Sequence, residues 1–164
     1  MSLTFLLGGA RSGKSALAIE LATSWAGPVT VIATGEPRDD EMAERIERHR
    51  EERPSGWKTV EEPVDLVSAL EIPPADEAVI VDCVSLWVAN VLDHDVEGLN
   101  GRAIAAAQQR ARAIVVSNEV GMGVVPVSEL GRRYRDVLGR VNAQWAAAAD
   151  EAAFVVAGKM LRLQ

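Results

Sequence analysis

LTFLLGGARSGKSALAIELA, residues 3–22, joins an apolar run to a glycine-rich turn and then to a helical pattern. Within it, GGARSGKS (8–15) satisfies G-x-x-x-x-G-K-[ST] through Gly8, Gly13, Lys14 and Ser15. A strand before the loop and a helix after it are the context that a phosphate-binding loop requires. Glycine lets the backbone wrap closely enough to aim N–H groups at phosphate oxygens, and the helix N-terminus adds a partial positive charge. Gly8, Gly9, Ala10, Arg11, Ser12 and Gly13 would form the cradle. Lys14 would reach the β- and γ-phosphates, and Ser15 would hold Mg²⁺. A plain glycine corner between strand and helix is the competing reading, and the context outweighs it. The expected ligand is a nucleoside triphosphate.

Outward from this loop, VTVIA (29–33), AVIVDC (78–83), IVVS (114–117) and AFVVA (153–157) repeat the character of LTFLL (3–7). Each is almost wholly apolar, as strands are when both faces of a parallel sheet are covered. Helical patterns lie between them. Residues 14–26 run to a Gly27-Pro28 stop. Residues 128–149 place Leu130, Tyr134, Val137, Val141 and Trp145 on one stripe. The β–α alternation predicts one doubly wound α/β domain across 1–164, a usual size for a single core. DHDVEGLNG (93–101) and NEVGMGVVP (118–126) read as loops. Asp82 closes AVIVD at the strand end where ligands gather in open parallel sheets, so it is the candidate metal-side carboxylate. Capping of the following helix is its alternative role.

Composition narrows the function class. The net charge of −7 repels a phosphate backbone, which argues against general nucleic-acid binding. A single cysteine, Cys83, excludes an intrachain disulfide and fits a reducing compartment. No apolar run approaches membrane-spanning length, so neither anchor nor signal peptide is expected and the expected location is cytoplasmic. No partner-facing apolar surface or basic patch stands out. His94, between Asp93 and Asp95, reads as solvated surface.

The other histidine sits in ERIERHREERP, residues 44–54. Asp39 and Asp40 offer a cap and an acidic first turn for a helix over 40–52 that stops before Pro54. Glu41–Arg45 and Glu44–Arg48 have the spacing of supporting ion pairs. His49 shares a face with Met42 and Ile46 and so turns toward the protein body. A satisfied core ring, a general acid or base, and a nucleophile at phosphorus all fit an inward histidine. Arg48, Arg50 and Arg53 suit triphosphate recognition or solvated salt bridges equally. The residues alone leave the choice open.

GGARSGKS, IATGEPRDDEMAERIERHREERP, VDCVSLWVANVL, and SNEVGMGVVP with GRVNAQWAAAADEAAFVVAG occur in an order that resembles the bifunctional adenosylcobinamide kinase / adenosylcobinamide-phosphate guanylyltransferase family. That resemblance implies a P-loop NTPase fold of the RecA-like kind, a mostly parallel sheet flanked by helices. It implies phosphorylation of the aminopropanol hydroxyl of adenosylcobinamide at the expense of ATP or GTP. It then implies attack by a histidine on the α-phosphorus of GTP, and transfer of GMP to adenosylcobinamide phosphate within adenosylcobalamin assembly. The matching histidine is His49. Nucleotide contacts are implied at 8–15, at Ala33, Thr34 and Gly35, at Arg50, Glu51, Glu52 and Arg53, at Glu61 and at Asp82. A homo-oligomer, by resemblance a trimer, is implied as well. Glu61 has a surface acid as its alternative reading. Asn118 and Glu119 end the strand IVVS, where they could face the corrinoid, but stand outside the expected catalytic set because polar strand-end residues are commonly structural. Members of the family can carry two adjacent histidines where this chain has Arg48-His49, and only the second is matched.

Overall fold

The computed structural model describes residues 1–163. The strands are β1 (Ser2–Gly8), β2 (Val29–Ala33), β3 (Lys58–Glu61), β4 (Ala78–Asp82), β5 (Arg112–Asn118), β6 (Glu151–Val156) and β7 (Lys159–Arg162). The helices are α1 (Lys14–Thr23), α2 (Asp40–Glu51), α3 (Leu66–Glu71), α4 (Val84–Asn90), α5 (Val96–Gln108) and α6 (Glu129–Ala148). The strands form one sheet in the order β3-β2-β4-β5-β1-β6-β7. Neighbours pair in parallel except β6 and β7, which form an antiparallel hairpin at one edge.

Alternate residues of each central strand enter two separate cores. Phe5, Val79, Val81 and Val115 face Trp87, Leu138 and Trp145 on the α3–α6 side. Leu6, Ile80, Ile114 and Val116 face Ala18 and Ala22 on the α1 side. This two-sided burial is why the strands read as unbroken apolar runs.

Several expectations need correction. Residues 93–101 are not all loop: α5 starts at Val96, capped by Asp95, whose side chain accepts from the Gly98 amide at 3.1 Å. Gly98 and Gly101 are loop signals in sequence, but burial of Val96, Ala103 and Ala107 outweighs their cost of about 1 kcal/mol each. The first helix ends at Thr23, three residues early, where the Thr23 and Ser24 hydroxyls take up the carbonyls of Ile19 and Leu21. The α6 stripe begins at Tyr134, since Leu130 is 62% exposed. Strands β3 and β7, both short and at or near sheet edges, carry too few apolar residues to announce themselves. The surface does hold an apolar stretch: Met122, Val124, Val125, Val127 and Leu130 are all exposed. No helix among the described residues is long and apolar enough to cross a membrane.

At the N-terminal edge of the strands, away from the loops that follow them, Glu77 is 3% exposed and accepts from the Thr30 hydroxyl and from Lys58 Nζ at 3.1 Å. Arg110 beside it donates to the carbonyls of Leu70, Pro73, Pro74 and Glu77. The Thr30 hydrogen bond, with help from Lys58, holds the Glu77 carboxyl below the ordinary glutamate value of 4.5 although burial opposes it. A depressed carboxylate contributes stability above its unfolded pKa and loses it as pH falls through the folded value. Glu77→Gln should therefore lower stability by about 1–3 kcal/mol at neutral pH. The melting-temperature gap between wild type and variant should narrow as pH falls below 4.5.

Candidate active site

Four loops meet at the C-terminal edge of the sheet, those after β1, β2, β4 and β5. The loop after β1 depends on two glycines. Gly13 has φ 97° and caps α1, and a Cβ there would also lie 3.2 Å from Gly158 Cα. A Cβ on Gly8 would collide with the carbonyl oxygen of Val155. The β6–β7 turn thus packs directly on the loop, and the Gly158 amide donates to the Ser12 carbonyl at 2.8 Å. Lys14, 7% exposed, donates from Nζ to the Gly9 carbonyl at 2.6 Å and lies 3.3 Å from Ser12 Oγ. Burial pulls its pKa below the ordinary lysine value, and the neighbouring Asp82 carboxylate opposes that shift. Ser15 Oγ donates to Asp82 Oδ1 at 3.3 Å. A hydroxyl and a carboxylate this close are hard oxygen donors that fit Mg²⁺, which takes its remaining positions from phosphate and water.

α2 stands over this loop. Asp39 caps it by accepting from the Met42 amide at 2.7 Å. None of its residues is fully buried, and Met42, Ile46 and His49 are the half-covered positions. The inward face is the one that spacing predicted. His49 Nδ1 lies 3.5 Å from Asp82 Oδ2, with its side chain 30% exposed. The ring is neither sealed in hydrocarbon nor remote from the glycine loop. Glu41–Arg45 and Glu44–Arg48 do not close as ion pairs among the described residues; Arg50 instead reaches Glu47 at 3.8 Å and Glu61 at 3.1 Å.

Between α2 and the sheet edge lies a cavity of about 590 Å³, within the range of small-molecule sites. Of the expected residues, Arg11, Ser12, Gly13, Lys14, Ser15, Ala33, Gly35, His49, Glu52, Arg53, Glu61 and Asp82 line it. Gly8, Gly9 and Ala10 lie outside that lining. Arg50 also lies outside it, held against Glu61. Glu51 is exposed and outside as well. Thr34 is fully buried: its hydroxyl donates to the Cys83 carbonyl at 2.6 Å and accepts from the Cys83 amide at 3.0 Å. Its side chain ties the end of β2 to the end of β4 and does not reach the cavity. Arg53 donates to Thr59 Oγ1 at 3.0 Å, and burial depresses its pKa.

Wall residues outside the expected set include Arg45 and Leu86, and Asn118 lines the cavity too. Arg45 read as an ion-pair partner of Glu41, although its place four residues before His49 on one helix was a signal that it shares the histidine's side. Asn118 donates to Ser85 Oγ at 3.0 Å, and its own carbonyl accepts from Asn142 at 3.0 Å. Tyr134 closes the same network by donating to the Ser85 carbonyl, and burial pushes its hydroxyl up to about 12. The Cys83 thiol, also pushed up by burial, packs against Ser85 Oγ at 3.0 Å as a small core residue.

A family profile described as cobinamide kinase / cobinamide phosphate guanyltransferase matches residues 4–163. The chain belongs to this family. Among curated members, the bifunctional adenosylcobalamin biosynthesis protein CobP of Pseudomonas aeruginosa is 42% identical over 165 residues, 97% of this chain and 95% of that protein. The bifunctional adenosylcobalamin biosynthesis proteins CobU of Escherichia coli and Salmonella typhimurium are 43% and 40% identical, each over 95% of this chain and 96% of theirs. Among solved structures, an ATPase from the type III secretion system of pathogenic bacteria superposes with TM-score 0.58 at 12% identity, covering 93% of this chain and 50% of that one. That likeness concerns the fold alone, and it agrees with the P-loop reading. In this cobinamide kinase / guanyltransferase chain, several of the segments that carry the resemblance also build the cavity: the glycine loop, α2 and the strand ends at Asp82 and Asn118.

Proposed function

We propose that this chain phosphorylates adenosylcobinamide and then transfers GMP from GTP to the product through a GMP–His49 intermediate, giving adenosylcobinamide-GDP. One observation carries the reading: the half-exposed His49 ring stands 3.5 Å from Asp82, the carboxylate that also holds Ser15 of the glycine loop. A nucleotide whose outer phosphates lie on that loop presents its phosphorus chain to the ring. Backbone N–H groups of Gly9–Lys14 and the N-terminus of α1 would hold the β- and γ-phosphates. Lys14 would exchange the Gly9 carbonyl for phosphate oxygen. In the kinase step the aminopropanol hydroxyl attacks the γ-phosphorus of ATP or GTP. In the second reaction His49 attacks the α-phosphorus, and the covalent intermediate splits one exchange into two displacements. Mg²⁺, held by Ser15 and Asp82, would supply charge neutralisation on the phosphates. Ala33, Gly35, Glu52, Arg53 and Glu61 would face the nucleoside part from the far wall.

The test supplies purified protein with adenosylcobinamide, Mg²⁺, ATP and GTP, and separates corrinoid products by chromatography. Adenosylcobinamide-GDP is the expected end product. Accumulation of adenosylcobinamide phosphate alone would identify a plain kinase, and nucleotide binding without corrinoid turnover would identify a binding module.

Self-association belongs to the same reading. The exposed Met122, Val124, Val125 and Val127 follow directly on Asn118 of the cavity wall, and an apolar stretch of this kind marks a contact surface. A homo-oligomer, with a trimer expected, would cover it. Sedimentation should return an oligomer for the wild type and a smaller species for the Val124→Glu/Val127→Glu double variant; an unchanged species would rule the face out. A cytoplasmic location accords with nucleotide substrates and with the lone buried thiol of Cys83.

A further inference from the structure

The cavity wall on α2 includes a cation with no assigned task. Arg45 lies four residues before His49, so the two side chains project only about 40° apart around the helix. It lines the same cavity as Lys14, Ser15 and Asp82. Among the described residues it has neither an ion-pair nor a hydrogen-bond partner, although Glu41 precedes it at the standard spacing. Of the other cations in and beside the wall, Arg11 belongs to the glycine loop itself and Arg48 projects about 100° from His49 around the helix, both without an ion-pair partner among the described residues, while the rest are engaged. Lys14 is bonded within its own loop, Arg53 holds Thr59, and Arg50 holds Glu61 and Glu47. Arg45 also lies close enough to Lys14 for its charge to depress the ammonium's pKa. Arg45 is exposed and unpaired, and a guanidinium in a cavity wall shared with a phosphate-binding lysine is suited to a polyphosphate.

We propose that Arg45 is a catalytic residue of the guanylylation step, binding the pyrophosphate that leaves when His49 attacks. This rests on the GMP–His49 reading. In that step a ring nitrogen's lone pair forms the N–P bond to the α-phosphorus. The bond from that phosphorus to the α–β bridging oxygen breaks, and pyrophosphate departs with the electron pair. The proton on the other ring nitrogen stays on the imidazolium. Negative charge therefore builds on the bridging oxygen, one helical turn from the attacking ring, where Arg45 stands and where the glycine loop holds the outer phosphates. A fixed cation aimed at developing charge lowers the barrier without reorganising.

The experiment follows GMP–enzyme formation from GTP and Mg²⁺ in single turnover by intact mass, for wild type, Arg45→Ala and Arg45→Lys. It also measures the pyrophosphate concentration that half-saturates the reverse reaction, in which GMP–enzyme regenerates GTP. Arg45→Ala should slow the forward step roughly 10- to 100-fold and raise the half-saturating pyrophosphate concentration by a similar factor. Arg45→Lys should fall between the two, keeping the charge and losing the fork. Wild-type values for Arg45→Ala would overturn the assignment, and so would a slow forward step with unchanged pyrophosphate half-saturation. A wild-type protein that forms no GMP–enzyme would instead overturn the underlying reading, and this inference with it.

Discussion

His49→Ala should abolish formation of GMP–enzyme and lower nucleotidyl transfer by at least about 10⁴-fold, as loss of a covalent nucleophile does. The kinase activity should survive within about 10-fold, because no covalent intermediate takes part in γ-phosphoryl transfer. The split follows from the geometry. α2 has no fully buried residue, and the His49 side chain is 30% exposed, its polar contact with the sheet edge being the 3.5 Å approach to Asp82. Removing the ring therefore opens no core cavity and leaves Lys14, Ser15 and the glycine loop in place. Phosphorylation of adenosylcobinamide and guanylylation of the enzyme are read on one preparation, so misfolding would be seen as loss of both. Equal loss of the two activities would mean that His49 supports the cavity as a whole. Retention of both would return it to a structural role.

Lys14→Ala should give the opposite pattern and lower both activities together by about 10³-fold. Lys14 is 7% exposed and faces the space where both reactions must hold the outer phosphates. Its Nζ is occupied by the Gly9 carbonyl at 2.6 Å, a bond that a phosphate oxygen can replace at little cost. The variant also removes a buried ammonium whose pKa burial already depresses, so loss of folding stability should be small. Rates for each half-reaction, measured beside a melting curve, separate the two effects. A Lys14→Ala protein that still guanylylates at wild-type rate would show that the nucleotide does not lie on the glycine loop in that step.

The glycine loop, the central strands and the cap of α2 were legible because each rests on local chemistry. GGARSGKS needs its left-handed Gly13, VTVIA and AVIVD need two covered faces, and Asp39 needs only the Met42 amide. The inward turn of His49 followed from helical spacing alone. What the sequence did not disclose depends on partners far along the chain. Thr34 looked like a ligand contact, but its hydroxyl is consumed by Cys83, 49 residues away. β7 is too short to announce itself and becomes a strand by pairing with β6, and the Gly158 turn that joins them clamps Ser12. Arg45 read as half of an ion pair with Glu41, but it leaves Glu41 unpaired among the described residues and lines the same cavity as Lys14.

The central claim is that the imidazole of His49 becomes bonded to GMP, and intact-mass measurement of the protein after incubation with GTP and Mg²⁺ tests it most directly. The account predicts one added GMP per chain, mapped to His49 by peptide sequencing, lost in mild acid and on addition of adenosylcobinamide phosphate. An unmodified mass under conditions where the protein turns over GTP, or a GMP carried by any other residue, would contradict it.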